Sequence, residues 1–294
     1  MERQLLNMKD KITLRIGGVP EHFNLPWQLA LERDIFSTLK IQVSWTYFAG
    51  GTGVMTEALQ EGDLDVALML TEGFVSAFHR GLDAKIVKVY TKTPLTWGIY
   101  GGYTDTPPIT SNHNKKYAIS RKGSGSHLMA RIHAKQLGFH PSDDQYVEVA
   151  NLHNAIQSLK NREADYFYWE KYTSIPSVKK GLLCFLDTFH APWCGFVAVA
   201  NNNAIEQKSE SIQRVLQLMN DRCEAFMSEK ENIFRVSNRF EISTAAATEW
   251  FNTTAYQNNF EMKKSELDAV HEALNLEVPS NYSNMLGENI IFVE

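Results

Sequence analysis

Residues 50–67 read Gly50-Gly51-Thr52-Gly53-Val54-Met55-Thr56-Glu57-Ala58-Leu59-Gln60-Glu61-Gly62-Asp63-Leu64-Asp65-Val66-Ala67. The glycine-rich start makes a turn, and the turn opens a helix that runs to about Glu61. Asp65 to Leu70 is a short apolar run of the kind found in strands covered on both faces. Before the turn, Ile41 to Phe48 has the β-branched and aromatic content of a strand. Residues 41–70 therefore read as strand, glycine turn, helix, buried strand, which is a βαβ unit.

The same alternation extends in both directions. Ile12 to Ile16 is a strand, and Pro26 to Phe36 a helix with proline in its first turn, where a missing N–H costs nothing. Thr71-Glu72-Gly73 leads into a helix ending near Gly81, and Lys85 to Tyr90 is the next strand. Pro94 to Gly102 is apolar and glycine-punctuated. The polar stretch Tyr103 to Lys116, with Pro107-Pro108, reads as a passage into a second domain. Alternation restarts with strand Lys116 to Ser120, helix Ser126 to Leu137, strand Gln145 to Val149, helix Leu152 to Asn161 and strand Asp165 to Trp169. Leu182 to Leu186 is a further strand, Trp193 to Ala200 carries the chain back, and Ala204 to Leu274 is mostly helical.

The expected architecture is α/β. Two doubly wound lobes, each with a mixed, mostly parallel sheet, are joined by a hinge crossed twice. The first lobe takes residues 1–102, the second 103–196, and residues 197–294 return to the first lobe and add C-terminal helices. A length of 294 residues suits two domains. Open α/β sheets bind ligands beyond the carboxyl ends of their strands, so the cleft-facing loops are the ones to inspect.

The order of those loops resembles the type II periplasmic-binding-protein fold. More narrowly, it is similar to the branch holding nitrate-, sulfonate- and taurine-type solute-binding proteins and the fungal thiamine-pyrimidine synthases. The quoted stretch resembles that branch's G-G-x-x-x-x-x-A-L-x-x-G-x-x-D-[VI]-A pattern, with one residue more between Gly51 and Ala58. A later echo reads Ser158-Leu159-Lys160-Asn161-Arg162-Glu163-Ala164-Asp165. The resemblance spans roughly residues 12–255 and implies a two-lobed receptor that closes on a small solute. Possible solutes are a thiamine-pyrimidine precursor or a sulfonate-like anion. It also implies an alternative, a pyridoxal-phosphate-dependent pyrimidine-precursor synthase. The fungal synthases use a lysine, a consumed histidine and a Cys-rich segment; here Pro20-Glu21-His22 offers a histidine, without a lysine in that loop or a Cys-rich run.

Each candidate ligand-binding residue has a plainer role beside its functional one. Glu21 and His22 follow the first strand and form a rigid polar pair, or a solvated surface loop. Thr52 and Gly53 admit a ligand close to the backbone, or simply start a helix. Ser124, Ser126 and His127, in Gly123-Ser124-Gly125-Ser126-His127, can hold a polar or anionic atom at a helix start, or only cap it. Thr71-Glu72 and Trp169-Glu170 end strands in opposite lobes, and their carboxylates suit an amine or amidine edge. Glu72 also complements a helix dipole. Trp169 and Trp193 would stack on a flat ring, or fill the core.

Other classes are set aside. The longest apolar runs are far too short to cross a bilayer. A net charge of −5 with scattered Lys and Arg argues against a nucleic-acid footprint. Only residues 1–11 precede the first strand, too few for the DNA-binding module of transcription regulators with this fold. Cys184, Cys194 and Cys223 and the scattered histidines lack metal or catalytic spacing, so no metal and no cofactor is expected. The polar start Met1–Lys11 has no apolar leader core. As written the chain reads as cytoplasmic, and as periplasmic if a leader has been removed. The expected state is a monomer or weak dimer, with an ABC-type permease as partner if the protein is exported.

Overall fold

Three β-branched runs in the first hundred residues become parallel neighbours because amphipathic helices return the chain between them. A computed structural model describes residues 12–103 and 114–293. Residues 1–11 and 104–113, with Pro107-Pro108 and His113, lie outside the described residues.

In the first lobe, β1 (Ile12–Gly18), β2 (Ile41–Tyr47), β3 (Val66–Leu70), β4 (Ala84–Thr91) and β10 (Phe196–Asn201) form a sheet ordered β2-β1-β3-β10-β4. Its helices are α1 (Leu25–Glu32), α2 (Thr52–Gln60) and α3 (Thr71–His79). The second lobe holds β5 (Thr96–Gly101), β6 (Tyr117–Ile119), β7 (Tyr146–Glu148), β8 (Tyr166–Glu170) and β9 (Cys184–His190), ordered β7-β6-β8-β5-β9. Its helices are α4 (Gly125–Gln136), α5 (Leu152–Lys160) and α6 (Lys171–Lys179). Each sheet has four strands running in one direction and a fifth, antiparallel strand (β10 or β5) supplied by the chain just after it has crossed from the other lobe.

That exchange moves the expected boundary. The segment 94–102, expected at the end of the first lobe, contains β5, an inner strand of the second sheet. The first crossing therefore runs through residues 92–95, ahead of the boundary expected at 102, and the second through residues 191–195. Helix α6 was not apparent in the sequence because Pro176 sits inside it and breaks the helical pattern.

The two motif aspartates do the same job in the two lobes. Asp65 accepts hydrogen bonds from the Arg15 backbone N–H at 2.8 Å, from Arg15 Nη2 at 2.6 Å and from Lys208 Nζ at 2.9 Å. Asp165 accepts from the Lys116 N–H at 2.9 Å and Lys115 Nζ at 2.8 Å. Each carboxylate thus locks the start of its lobe's third parallel strand to the first. The turn before it is left-handed in both lobes, by Gly62 at φ +75° and by Arg162 at φ +60°. Only the first lobe uses the residue that adopts this conformation without strain.

The C-terminal part adds α7 (Asn202–Ser228), α8 (Glu231–Arg239), α9 (Thr244–Thr253), α10 (Lys264–Ala273) and a two-stranded ribbon of β11 (Glu261–Lys263) and β12 (Ile291–Val293). Helix α7 packs on the first lobe, burying Ile212, Val215, Leu216 and Met219. Helix α9 also touches the second lobe: Glu249 pairs with Lys171, and Thr253 Oγ1 lies 3.3 Å from the Tyr172 hydroxyl. No helix of the described residues is long and apolar enough to cross a membrane.

Candidate functional site

The carboxyl ends of the parallel strands in both lobes open into one cavity of about 490 Å³. Val19, Pro20 and Glu21 follow β1; Ala49 to Thr52 follow β2; Leu70 ends β3. From the other lobe come Ser120, Arg121 and Ser124 to Ser126 after β6, Ala150 and Asn151 after β7, and Trp169 and Glu170 at the end of β8. Leu95, Trp97 and Phe196, at or beside the starts of the exchanged strands, complete the wall.

Local chemistry explains why these residues face the space. Four helices begin at the rim, and three of their N-caps are side chains that point back to the helix start. Ser124 Oγ accepts from the His127 N–H at 3.4 Å, Asn151 Oδ1 from the Asn154 N–H at 3.0 Å, and Glu170 Oε2 from the Thr173 N–H at 2.7 Å. The fourth, α2, starts after Gly51 at φ +68°, a conformation that favours glycine. Ser126 Oγ accepts from the Ser120 N–H at 2.9 Å and lies 3.0 Å from Ser124 Oγ.

Of the expected site residues, Glu21, Thr52, Ser124, Ser126, Trp169 and Glu170 line this cavity together. The other six lie elsewhere. His22 begins a short 3-10 turn and is swung beneath the floor, 1% exposed, with its ring edge-on to Trp250 at 4.8 Å and near Phe23 at 4.4 Å. Burial pushes its pKa down to about 3, so the imidazole is neutral. Its Nε2 stands 3.9 Å from Glu170 Oε1. Gly53 is covered by Arg121: a Cβ there would lie 2.7 Å from the guanidinium. Glycine at 53 thus lets the second lobe's arginine seat against the first lobe. His127 turns away, accepting the Gly123 N–H on Nδ1 at 3.0 Å and packing on Tyr146.

Thr71, Glu72 and Trp193 belong to the hinge. Helix α3 begins at Thr71, which turns these side chains under the second crossing instead of into the cavity. The Thr71 hydroxyl donates to the Cys194 carbonyl at 2.7 Å, and Trp193 Nε1 donates to Glu72 Oε2 at 2.9 Å. Burial pushes the Glu72 carboxyl up to about 7, against the Trp193 hydrogen bond. Its unfolded value is near 4.5, so the unfolded chain ionises first as pH rises. The folded state then loses stability between those two values. Glu72→Gln is expected to flatten this slope, measured as a smaller loss of urea midpoint between about pH 5 and about pH 8 than in the parent.

The cavity also holds residues that were not singled out from the sequence. Asn151 meets the same after-strand rule that selected the others. Trp97 was hidden because its segment was assigned to the end of the first lobe and not to a strand start at the cleft, and Arg121 stood beside the chosen serines. Arg121 is exposed at the rim and is the cation among the described lining residues. Among the described residues no group of three His, Cys, Asp or Glu side chains is placed to hold a metal ion.

Residues 97–181, most of the second lobe, match the family described as Ca3427-like PBP. The chain superimposes on the Candida albicans CA3427 gene product, which is described as having the generic periplasmic-binding-protein fold. The TM-score is 0.86 at 23% identity, covering 96% of this chain and 98% of that one. The chain has the periplasmic-binding-protein fold. The alkanesulfonate-binding protein SsuA from Xanthomonas axonopodis, bound to MOPS, gives a TM-score of 0.76 at 14% identity, covering 96% and 98%. The nitrate-binding protein NrtA from Synechocystis gives 0.66 at 13% identity, covering 81% and 69%. No curated protein matches the chain by sequence.

Proposed function

We propose that this protein is a solute-binding protein that captures one small, flat, polar metabolite between its lobes. The observation that carries the reading is the cavity itself. Its volume of about 490 Å³ is that of a single small-molecule site, and both lobes contribute strand ends to it. The walls are apolar and aromatic, with Trp97, Trp169, Leu95, Leu70 and Phe196, and a few polar groups converge on the space. This is the division of labour expected where apolar contact holds a ring and polar groups orient it. A thiamine-pyrimidine precursor and a sulfonate-like anion are the two solute types to compare. Delivery to an ABC-type permease is the role that accompanies such capture if the protein is exported. A pyridoxal-phosphate-dependent synthase needs a lysine to form its Schiff base, and the described lining residues include none.

Thermal-shift and native mass-spectrometry screening against pyrimidines, thiamine precursors, sulfonates and small anions is the test. A ligand that binds only the folded state raises the melting temperature. Trp169→Ala is expected to reduce that shift with little change in the ligand-free protein, because Trp169 is only partly buried. An equal shift in Trp169→Ala and in Glu170→Gln would place the solute elsewhere. An aldimine absorption band on adding pyridoxal phosphate would favour the synthase.

A further inference from the structure

We infer that the cleft selects a nitrogen base, an amidine or an amino-substituted heterocycle, and rejects oxyanions of the kind named for its sulfonate- and nitrate-binding structural neighbours. This inference rests on the solute-binding reading and specifies its ligand class.

The first ground is the placement of two acids. Glu21 comes from the loop after β1 and Glu170 from the end of β8, so each lobe contributes one carboxyl to the same cavity. Glu170 is 4% exposed. One of its oxygens is spent on the Thr173 N–H, while Oε1 is buried without a hydrogen-bond partner. His22 Nε2, at 3.9 Å, is too far to donate to it and is itself unpartnered. A buried acceptor without a donor is unfavourable, and an N–H group on an incoming solute would satisfy it.

The surroundings supply no substitute. On Glu170's own side, Lys171 is paired with Glu249 of α9, and the Tyr172 hydroxyl lies against Thr253. From β5, the Tyr100 hydroxyl donates to the Lys171 carbonyl at 3.2 Å. From the first lobe, the facing groups are Glu21, a second acid, and His22, held neutral within an aromatic shell. Burial raises both carboxyls above their ordinary range, and the charge of Glu170 raises Glu21 further. The free cleft therefore keeps a proton on this pair, and a cationic base entering between the lobes displaces it.

The second ground is that much of the Gly-Ser turn's capacity to hold an anion is already used. In the Gly-Ser turn, the N–H groups of Ser120, Arg121, Gly123, Ser124 and His127 are all bonded within the turn. Arg121, the cation among the described lining residues, is exposed at the rim and packs on Gly53. An oxyanion placed beside buried Glu170 and half-buried Glu21 would meet repulsion there.

The test uses the full chain with three probes at millimolar concentration: benzamidine, 4-aminopyrimidine and ethanesulfonate. Benzamidine, charged across the range used, is expected to bind while ethanesulfonate does not. Its affinity should rise with pH between about 5 and about 8, by up to about tenfold per unit while the pair still holds its proton. Calorimetry in two buffers of different ionisation enthalpy should show a proton released on binding. Glu170→Gln should weaken benzamidine at least about tenfold and abolish the release, since the amide neither ionises nor attracts a cation. Glu21→Gln should act in the same direction, so the test survives if one variant fails to fold. Binding of benzamidine that is indifferent to pH and to both substitutions overturns the inference. Ethanesulfonate binding to the parent protein as tight as that of benzamidine, and unchanged in Glu170→Gln, also overturns it, while leaving the interlobe solute site standing. Failure of all three probes overturns it as well, and the wider screen above then judges the solute-binding reading separately.

Discussion

Trp250→Ala is expected to destabilise the fold by about 3–5 kcal/mol, the usual cost of emptying an aromatic site in a packed core. Trp250, on α9, is fully buried. Its ring lies 5.0 Å from Phe251, 5.6 Å from Phe23 and 4.8 Å from His22, so it supports the floor under Glu21 and Glu170. Neighbours anchored in α9, the β1 loop and α7 cannot all collapse into the gap, which places the loss toward the upper end. Trp250→Phe should lose much less, because it keeps a large ring and removes an indole N–H that has no hydrogen-bond partner. Urea unfolding followed by circular dichroism reads both values from the shift in midpoint. A loss below about 1 kcal/mol for the alanine variant would show that α9 does not support the floor.

Asp65→Ala is expected to cost roughly 2–4 kcal/mol. The Asp65 side chain is 2% exposed and joins β1, the start of β3 and α7 through the Arg15 N–H, the Arg15 guanidinium and Lys208. Removing it leaves a buried N–H unsatisfied and two cations unpaired. Arg15 is 40% and Lys208 23% exposed, so water recovers part of the loss. Burial by itself would push this carboxyl up, but hydrogen bonds from Arg15 and Lys208 outweigh it and hold it below the ordinary range. A carboxyl lowered in the folded state contributes stability above its unfolded value and loses it as pH falls. The parent should therefore weaken below about pH 4, and Asp65→Ala should show a shallower acid limb. Asp165→Ala, at the matching but more exposed position, should lose less. Equal losses in the two variants would contradict the assignment of Asp65 as the tighter junction.

How far the site was readable in advance depends on the kind of signal. The rule that ligands meet the ends of parallel strands selected Glu21, Thr52, Ser124, Ser126, Trp169 and Glu170, and all of these line one cavity. The rule works because a strand end is a local property, marked by the change from β-branched residues to glycine, serine and charge. It misplaced Thr71, Glu72 and Trp193. A strand end does not reveal which side of the following helix a side chain takes, or that a crossing segment will pack over it. His22, expected to reach the cleft beside Glu21, packs on the far side of its loop. Its neighbours Trp250 and Tyr172 lie far away in sequence.

Alternation of apolar runs and amphipathic stretches in the chain was enough to determine the α/β class, two lobes and a cleft between them. Backbone periodicity and glycine turns act over a few residues and need no partner to be recognised. Tertiary structure alone decided that β5 joins the second sheet, that α9 bridges to the second lobe, and that two acids from opposite lobes line one cavity, Glu170 with an unsatisfied oxygen. Those outcomes depend on which surfaces bury one another and on how much water burial removes from a carboxyl. Both are set by contacts between residues far apart in the sequence.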